Sequence, residues 1–406
     1  MNLWYAVGSG HEELGKTGFA HLFEHLMFQG SANVAKGEHL ALVEAAGGRA
    51  NASTSWDRTN YFERLPSHEL ELALWLESDR LASLMPAMTK ANLDNQRDVV
   101  KNERRLRVDN QPYGSSDEKL QALLFPEGHP YHHPIIGSME DLDSASLADV
   151  SDFFAAYYAP NNAVLTIAGD FDPPAALALV DKYFGAINPS PAIPAAPATA
   201  IEAPVTPALS ETVFDRVPLP RLYAACRTPV YGSAGFEALE VAMDLLGAGR
   251  ASRLYRSLVR EQQLAQDVET YALPDLGAGA AVFALSVTAR DGIGPEALKR
   301  ALWAEVERLA DEGPTEDELE RVRNQHAAAA ESTLERLGER ADRLSMYECL
   351  FDEPERINTE VTRYLAVDGG RVQAAMSAGL RPESRVVLTY LPESHRRNSH
   401  HEPSVA

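Results

Sequence analysis

His21, Glu24 and His25 fall within five residues of one another in the stretch Gly18-Phe-Ala-His-Leu-Phe-Glu-His-Leu-Met-Phe-Gln-Gly30, which is otherwise largely apolar. On a helix, residues four apart share a face, so both imidazoles can reach one ion while Glu24 lies beside them. The order H-x-x-E-H is the reverse of H-E-x-x-H. In either order two neutral imidazoles suit Zn2+, and the intervening carboxylate is left free to act as a base toward water at the ion. A pair of satisfied histidines on a buried helix would produce the same pattern without a metal.

A catalytic zinc commonly takes three protein ligands and keeps one open position, so a third donor is expected on a neighbouring element. Glu103 is the candidate, 78 residues after His25, in Gln96-Arg-Asp-Val-Val-Lys-Asn-Glu-Arg-Arg105. Helical spacing there is expected to turn Val99, Val100 and Glu103 toward the interior.

Around these residues, apolar periodicity predicts helices over Gly18–Gln29, His39–Ala46, Ser67–Ser83, Lys90–Val108 and Ser146–Tyr158. Strands are expected at Tyr5–Val7, Arg49–Thr54, Asn60–Leu65 and Asn162–Ala168. Too few strands alternate with helices for a doubly wound parallel sheet, so an α+β fold with mostly antiparallel sheets is expected. From Pro189 to Pro207 six prolines occur in nineteen residues, which reads as an extended connector over 189–210. It separates 1–188 from 211–406. In the second part, helices near Phe236–Leu246, Ser252–Gln262, Gly294–Glu312 and Thr315–Leu337 precede a strand at Arg385–Tyr390. The shared order suggests two similar domains.

The 406 residues carry 37 basic and 59 acidic side chains, a net charge of −22, which argues against nucleic-acid binding driven by overall charge. No apolar run is long enough to span a membrane as a helix. Cys226 and Cys349 can form at most one bridge and read as buried thiols. Gly247-Ala-Gly-Arg250 lacks both the Lys-Ser/Thr of a phosphate loop and the third glycine of a dinucleotide fingerprint. The tail Ser394-His-Arg-Arg-Asn-Ser-His-His401 carries three histidines that could bind metal weakly, but it reads as a disordered end and not as a site.

Taken together, Gly18–Gly30 and Val99-Val-Lys-Asn-Glu-Arg-Arg105 resemble the zinc helix and third-ligand segment of the pitrilysin/insulinase family. The likeness is to bacterial members similar to mitochondrial processing peptidase. Gly47–Ser55 is similar to the strand on which that family lays an extended substrate, Gly128-His-Pro-Tyr-His-His-Pro134 resembles a further family segment, and Leu246–Gln266 resembles its glycine-rich loop and following helix. The resemblance implies a clamshell of two homologous domains and a metalloendopeptidase acting on peptides or unfolded polypeptides. It implies one Zn2+ per chain on His21, His25 and Glu103, with Glu24 as the base. Main-chain groups of Asn51, Ala52, Ser53 and Thr54 would pair with the peptide, and Arg260 would reach it from the second half.

Three departures from the family pattern matter. Gln266 stands where a tyrosine is expected about seven positions after Arg260, so either Tyr271 substitutes or a homologous partner subunit, in a heterodimer or homodimer, completes the site. Gln96 stands where many relatives carry a second acid near the metal, which leaves Glu77 or Asp79 as candidates to support the ligands. The hairpin that usually precedes Leu3–Val7 is missing; if it was trimmed, an export signal is expected to have gone with it, and periplasm is expected ahead of cytoplasm. Some relatives keep the fold without the chemistry, so a non-catalytic subunit of a peptidase or respiratory-type complex is the competing reading.

Overall fold

A computed structural model describes residues 1–202, 205, 207–273 and 279–398; the tail histidines His400 and His401, and parts of the proline-rich stretch, lie outside these. Two sheets carry the helices, in keeping with an α+β chain. The first has the order β2-β3-β1-β4, built from β1 (Asn2–Tyr5), β2 (Arg49–Thr54), β3 (Thr59–Arg64) and β4 (Ala163–Thr166), with every pairing antiparallel. The second has the order β5-β9-β6-β8-β7, from β5 (Leu209–Asp215), β6 (Arg221–Val230), β7 (Ala265–Leu273), β8 (Ala280–Ala289) and β9 (Val386–Pro392). It is mixed, because β5 and β9 run parallel. Between Phe184 and Leu209 the described residues form neither helix nor strand.

The described residues group into two compact units that interleave along the chain. One comprises Met1–Arg104, His133–Ala198 and Ala330–Thr359; the other comprises Arg105–His132, Thr199–Ala329 and Glu360–Ala406. The first unit therefore includes the helix Leu337–Phe351, which is not among the helices expected from the sequence. That helix lies against β1, β3 and β4. Asp342 Oδ1 accepts from Asn2 Nδ2 at 3.0 Å, Trp4 Nε1 at 2.9 Å and Asn60 Nδ2 at 2.9 Å. In the second unit the helix Ser116–Leu124 packs on β6 and β9, and β8 is buried along its whole length.

In the first unit, helix α1 (Phe19–Leu26) buries Phe19, Ala20, Leu22, Phe23 and Leu26. Phe23 stacks on Phe153 and Tyr158 with centroids 5.1 and 5.2 Å away. Each such apolar side chain contributes roughly 2 kcal/mol on burial, enough to hold down a helix too short to persist in isolation. Helix α2 (Glu38–Ala45) packs on β2, and α3 (Leu70–Ala87) follows the first hairpin. Helix α4 (Lys90–Arg104) packs on α1 through Leu93, Gln96 and Val100, a spacing of three and four that continues to Glu103. Val99, expected to face inward, is 39% exposed, because it sits one helical step off that stripe. After Arg104 the expected helix widens into a π-type turn, Arg105–Asp109, and Ser252–Gln262 likewise holds a π-type turn, Tyr255–Glu261.

Beneath this layer is a buried polar group. Arg80 on α3 donates from Nε to Glu77 Oε2 at 2.9 Å and contacts Glu77 Oε1 through Nη2, while its guanidinium lies 4.2 Å from the Tyr61 ring centroid. His39 Nε2 lies 2.7 Å from Glu63 Oε1. Burial lowers His39 to about 4, so at neutral pH its ring is uncharged and shares one hydrogen bond with Glu63. Burial raises the Glu63 carboxyl to about 7, opposed by Arg80.

Because Glu63 titrates near 4.5 when unfolded, folding takes up a proton between that value and about 7, and the penalty for ionising this buried carboxyl grows as pH rises through the window. Glu63→Gln lacks the penalty. Relative to the native chain it is expected to gain stability from pH 4.5 to above 7, by on the order of 1–3 kcal/mol. Urea unfolding of both proteins at pH 5 and pH 8 checks this; a difference independent of pH would refute it.

Candidate active site

Helix α1 presents His21 and His25 on one face, their ring centroids 4.8 Å apart and their planes crossing at 78°. Helix α4 brings Glu103 to the same point. Glu103 Oε2 lies 3.2 Å from His25 Nε2 and 3.7 Å from His21 Nε2, and one donor atom from each residue falls within 4.8 Å of the others. Two metal bonds of about 2.05 Å at a tetrahedral angle separate their donors by roughly 3.3 Å. The three residues therefore fit a zinc-sized ion, and all are half-buried, which leaves room for a further ligand from outside.

Glu24 sits between the two histidines in sequence but is held from another element. Thr54 Oγ1, at the end of β2, donates to Glu24 Oε2 at 2.6 Å. Burial raises the Glu24 carboxyl above its ordinary range, and Glu103 adds to this, while the Thr54 hydroxyl and His25 oppose it. Disfavouring the ionised form in this way makes the carboxylate a better acceptor of a proton from water. Sequence reasoning missed the Thr54 contact, since thirty positions separate the two residues and only the packing of α1 on β2 joins them.

The remaining candidates fall in several places. Asn51, Ala52, Ser53 and Thr54 form the last four residues of β2, which among the described residues is an edge strand paired only with β3. Ser53 hydrogen-bonds Asn60 through its hydroxyl at 2.7 Å, and its carbonyl accepts from Arg58 Nη1 at 2.9 Å. Glu77 is tied to Arg80, and Asp79 accepts from Asn33 Nδ2 at 2.6 Å and from Ser31 Oγ, so both serve the loop and core behind the helix. Gln96 is buried on α4 and its Nε2 donates to Asn95 Oδ1 at 3.3 Å. In the second unit, Arg260 is exposed at the end of its π-type turn. Tyr271 lies on β7 hydrogen-bonded to Asp117, and Gln266 is on the same strand. Cys226 is buried and Cys349 half-buried, both as free thiols.

Among the described residues a second set of donors, His39, Glu63 and Glu77, also falls within 4.8 Å. The Arg80 guanidinium already neutralises Glu77, and His39 and Glu63 share a hydrogen bond, so internal partners take up this set.

Residues 1–129 match the family model Insulinase (Peptidase family M16), and residues 144–326 match Peptidase M16 inactive domain. The zinc protease PqqE of Helicobacter pylori is 30% identical over 339 residues, covering 82% of this chain and 74% of that protein. A solved protease from Helicobacter pylori superposes with a TM-score of 0.88 at 27% identity, covering 96% of this chain and 93% of the other. A chain of complex III2 from Candida albicans shares the fold, with a TM-score of 0.78 at 14% identity and coverage of 98% and 93%. With the two family models spanning most of its length, and a relative 30% identical over four-fifths of it, the chain belongs to the insulinase family of peptidases, family M16.

Proposed function

We propose that this chain is a zinc-dependent endopeptidase that hydrolyses extended peptides or unfolded polypeptides. His21, His25 and Glu103 hold one Zn2+, and Glu24 is the acid–base residue. The convergence of three donor atoms within 4.8 Å on two adjoining helices, with a half-buried carboxylate between the histidines in sequence, carries this reading. When bound, zinc supplies Lewis acidity for attack on a peptide carbonyl. Glu24 takes the proton from the attacking water and returns it to the leaving amine. Thr54 fixes one oxygen of that carboxylate and leaves the other for the water.

The free edge of β2 supports the binding half of the reading. A peptide added there pairs through main-chain groups of Asn51, Ala52 and Ser53, which accommodates many side chains. In this reading the chain is the metal-bearing member of a dimer. The two units close as a clamshell around a chamber that admits unfolded chains, and Arg260 of this chain or a basic or phenolic group of the partner meets the substrate. Gln266 in the place of a tyrosine favours a partner. A non-catalytic core subunit is the competing reading, which the presence of all four residues of the zinc motif disfavours.

Two substitutions test the assignment. Glu24→Gln is expected to keep about one zinc per chain and to lower kcat for a quenched peptide by on the order of 10³-fold, the size of an acid–base contribution; unchanged cleavage would remove Glu24 from the mechanism. Thr54→Val is expected to leave zinc affinity intact and reduce kcat roughly tenfold, because a disordered Glu24 carboxylate costs alignment and not metal binding. Equal kcat would mean the hydroxyl is dispensable. Running both assays on the purified chain, with its oligomeric state measured alongside, shows whether the chain works alone.

A further inference from the structure

Helix α1 places His21 in its third position and His25 in its last turn, so the convergence of their rings depends on how the helix is rotated and seated. Tolerances for such a site are about 0.5 Å and 10–20°. Yet the residue that should cap the helix has no side chain: Gly18 is the N-cap, at φ +90°, and the first turn contains no acidic residue. The amide groups there need acceptors from elsewhere.

Glu12 provides them. Its carboxylate is fully buried, with Oε2 accepting from Gly18 N at 2.8 Å and Oε1 accepting from Ala20 N at 2.7 Å. Both oxygens are thus spent on the start of α1, an arrangement that suits an ionised carboxylate at the positive end of a helix. Burial holds this carboxyl well above the usual carboxylate range and Asp141 raises it further, while the Ala20, Gly18 and Phe19 amides, which favour the ionised form, oppose this only in part. His133 Nδ1 stands 3.6 Å from Oε2, which gives a place to one histidine of the Gly128–Pro134 motif that the zinc chemistry does not use.

The other side of Glu12 is anchored as firmly. It follows the 3-10 turn Ser9–His11, whose Ser9 N donates to Ser55 O at 3.0 Å and whose Gly10 N donates to Trp56 O at 2.7 Å. Those carbonyls belong to the turn between β2 and β3, directly after Thr54. On the far side of Gly18, Asp141 Oδ2 accepts from Thr17 N at 2.9 Å. A Cβ on Gly18 would sit 2.7 Å from Ile136 O, and one on Gly137 would sit 2.4 Å from Gly18 Cα, so the helix start is wedged against a second backbone.

We propose that Glu12 is a positioning residue of the metal centre, whose carboxylate stands in for the absent cap of α1 and locks the metal-bearing helix to the β2–β3 turn. The proposal rests on the reading of His21, His25 and Glu103 as the zinc ligands. It differs from a plain stability role in one respect. The clamp sets the angle at which the two imidazoles meet Glu103, so its loss changes the metal environment and not only the melting temperature.

The isosteric variant Glu12→Gln replaces one acceptor by an NH2 group facing a backbone N–H. Its zinc dissociation constant, by chelator competition, is expected to rise 10- to 100-fold, the range for groups that orient metal ligands. The visible d–d bands of the cobalt-loaded variant should shift, and kcat should fall while KM changes less than about threefold. Glu13→Gln, on the exposed neighbour, is expected to match the native chain in all three. Glu12→Asp keeps the charge but withdraws it by one methylene; it should show a partial loss, and it decides the matter if Glu12→Gln does not fold. A folded variant that melts earlier yet keeps the native zinc affinity and cobalt spectrum overturns the proposal, leaving Glu12 a structural cap. Absence of zinc from the native chain, measured first, would instead refute the ligand assignment and the clamp along with it.

Discussion

One distance governs this structure: three donor atoms must come within a few ångströms of one another although they lie on two different helices. A helix can bring two imidazoles to one face by itself, at positions 21 and 25, but the carboxylate of Glu103 arrives from α4, 78 residues after His25. The contact of α1 with α4 is therefore the interface on which the metal site depends. Leu93, Gln96 and Val100 make it tight, and Phe19, Leu22, Phe23 and Leu26 fasten α1 to the core below. An eight-residue helix has little stability of its own. Its place is dictated from outside, by aromatic stacking along one side and carboxylate acceptors at one end.

The layer beneath pays for rigidity with buried charge. Glu77 and Arg80 are fully or nearly fully enclosed, with Glu63 and His39 beside them. A buried ion pair contributes little net stability relative to an apolar one, because desolvation cancels most of the attraction. Its directional bonds are another matter. Arg80 is oriented by Glu77 and lies against the rings of Tyr61 and Phe28, and Asp79 on the same helix ties down Ser31 and Asn33 just past α1. The polar core thus fixes the exit of the zinc helix as Glu12 fixes its entrance.

Legibility in the sequence followed contact range. The histidine spacing is a local property of a helix, and the apolar residues around it were enough to indicate which face is buried. Periodicity and prolines suggested two consecutive parts, whereas the compact units interleave, with Arg105–His132 in the second and Ala330–Thr359 in the first. What escaped was set by packing between distant segments. Val99 was placed inside by a helical spacing read through Val99, Val100 and Glu103, whereas the buried stripe of α4 runs through Leu93, Gln96 and Val100. The helix Leu337–Phe351 was not anticipated, and its role on the first sheet rests on Asp342 meeting Asn2, Trp4 and Asn60, contacts spanning some three hundred residues. The parallel pairing of β5 with β9 has no local signature at all.

Strand β2 shows how one register serves two demands. Side chains alternate across a strand, so Ala52 and Thr54 fall on one face and Asn51 and Ser53 on the other. Ala52 is buried within the core that also holds Leu22 and Phe23, and Thr54 reaches Glu24 on the same side. Ser53 bonds Asn60 on the opposite side, where Asn60 in turn donates to Asp342. A slip of one residue would exchange the faces, sending Thr54 away from Glu24 and an asparagine or serine into the apolar core. The pairing of Thr54 with Thr59 and Ser53 with Asn60 prevents that slip, and the neighbouring turn carries the carbonyls that hold Ser9 and Gly10 ahead of Glu12. The hairpin is accordingly the common reference for the carboxylate of Glu24, the start of α1 and the open edge. A change in its register would disturb all three at once, even though none of its residues is a metal donor.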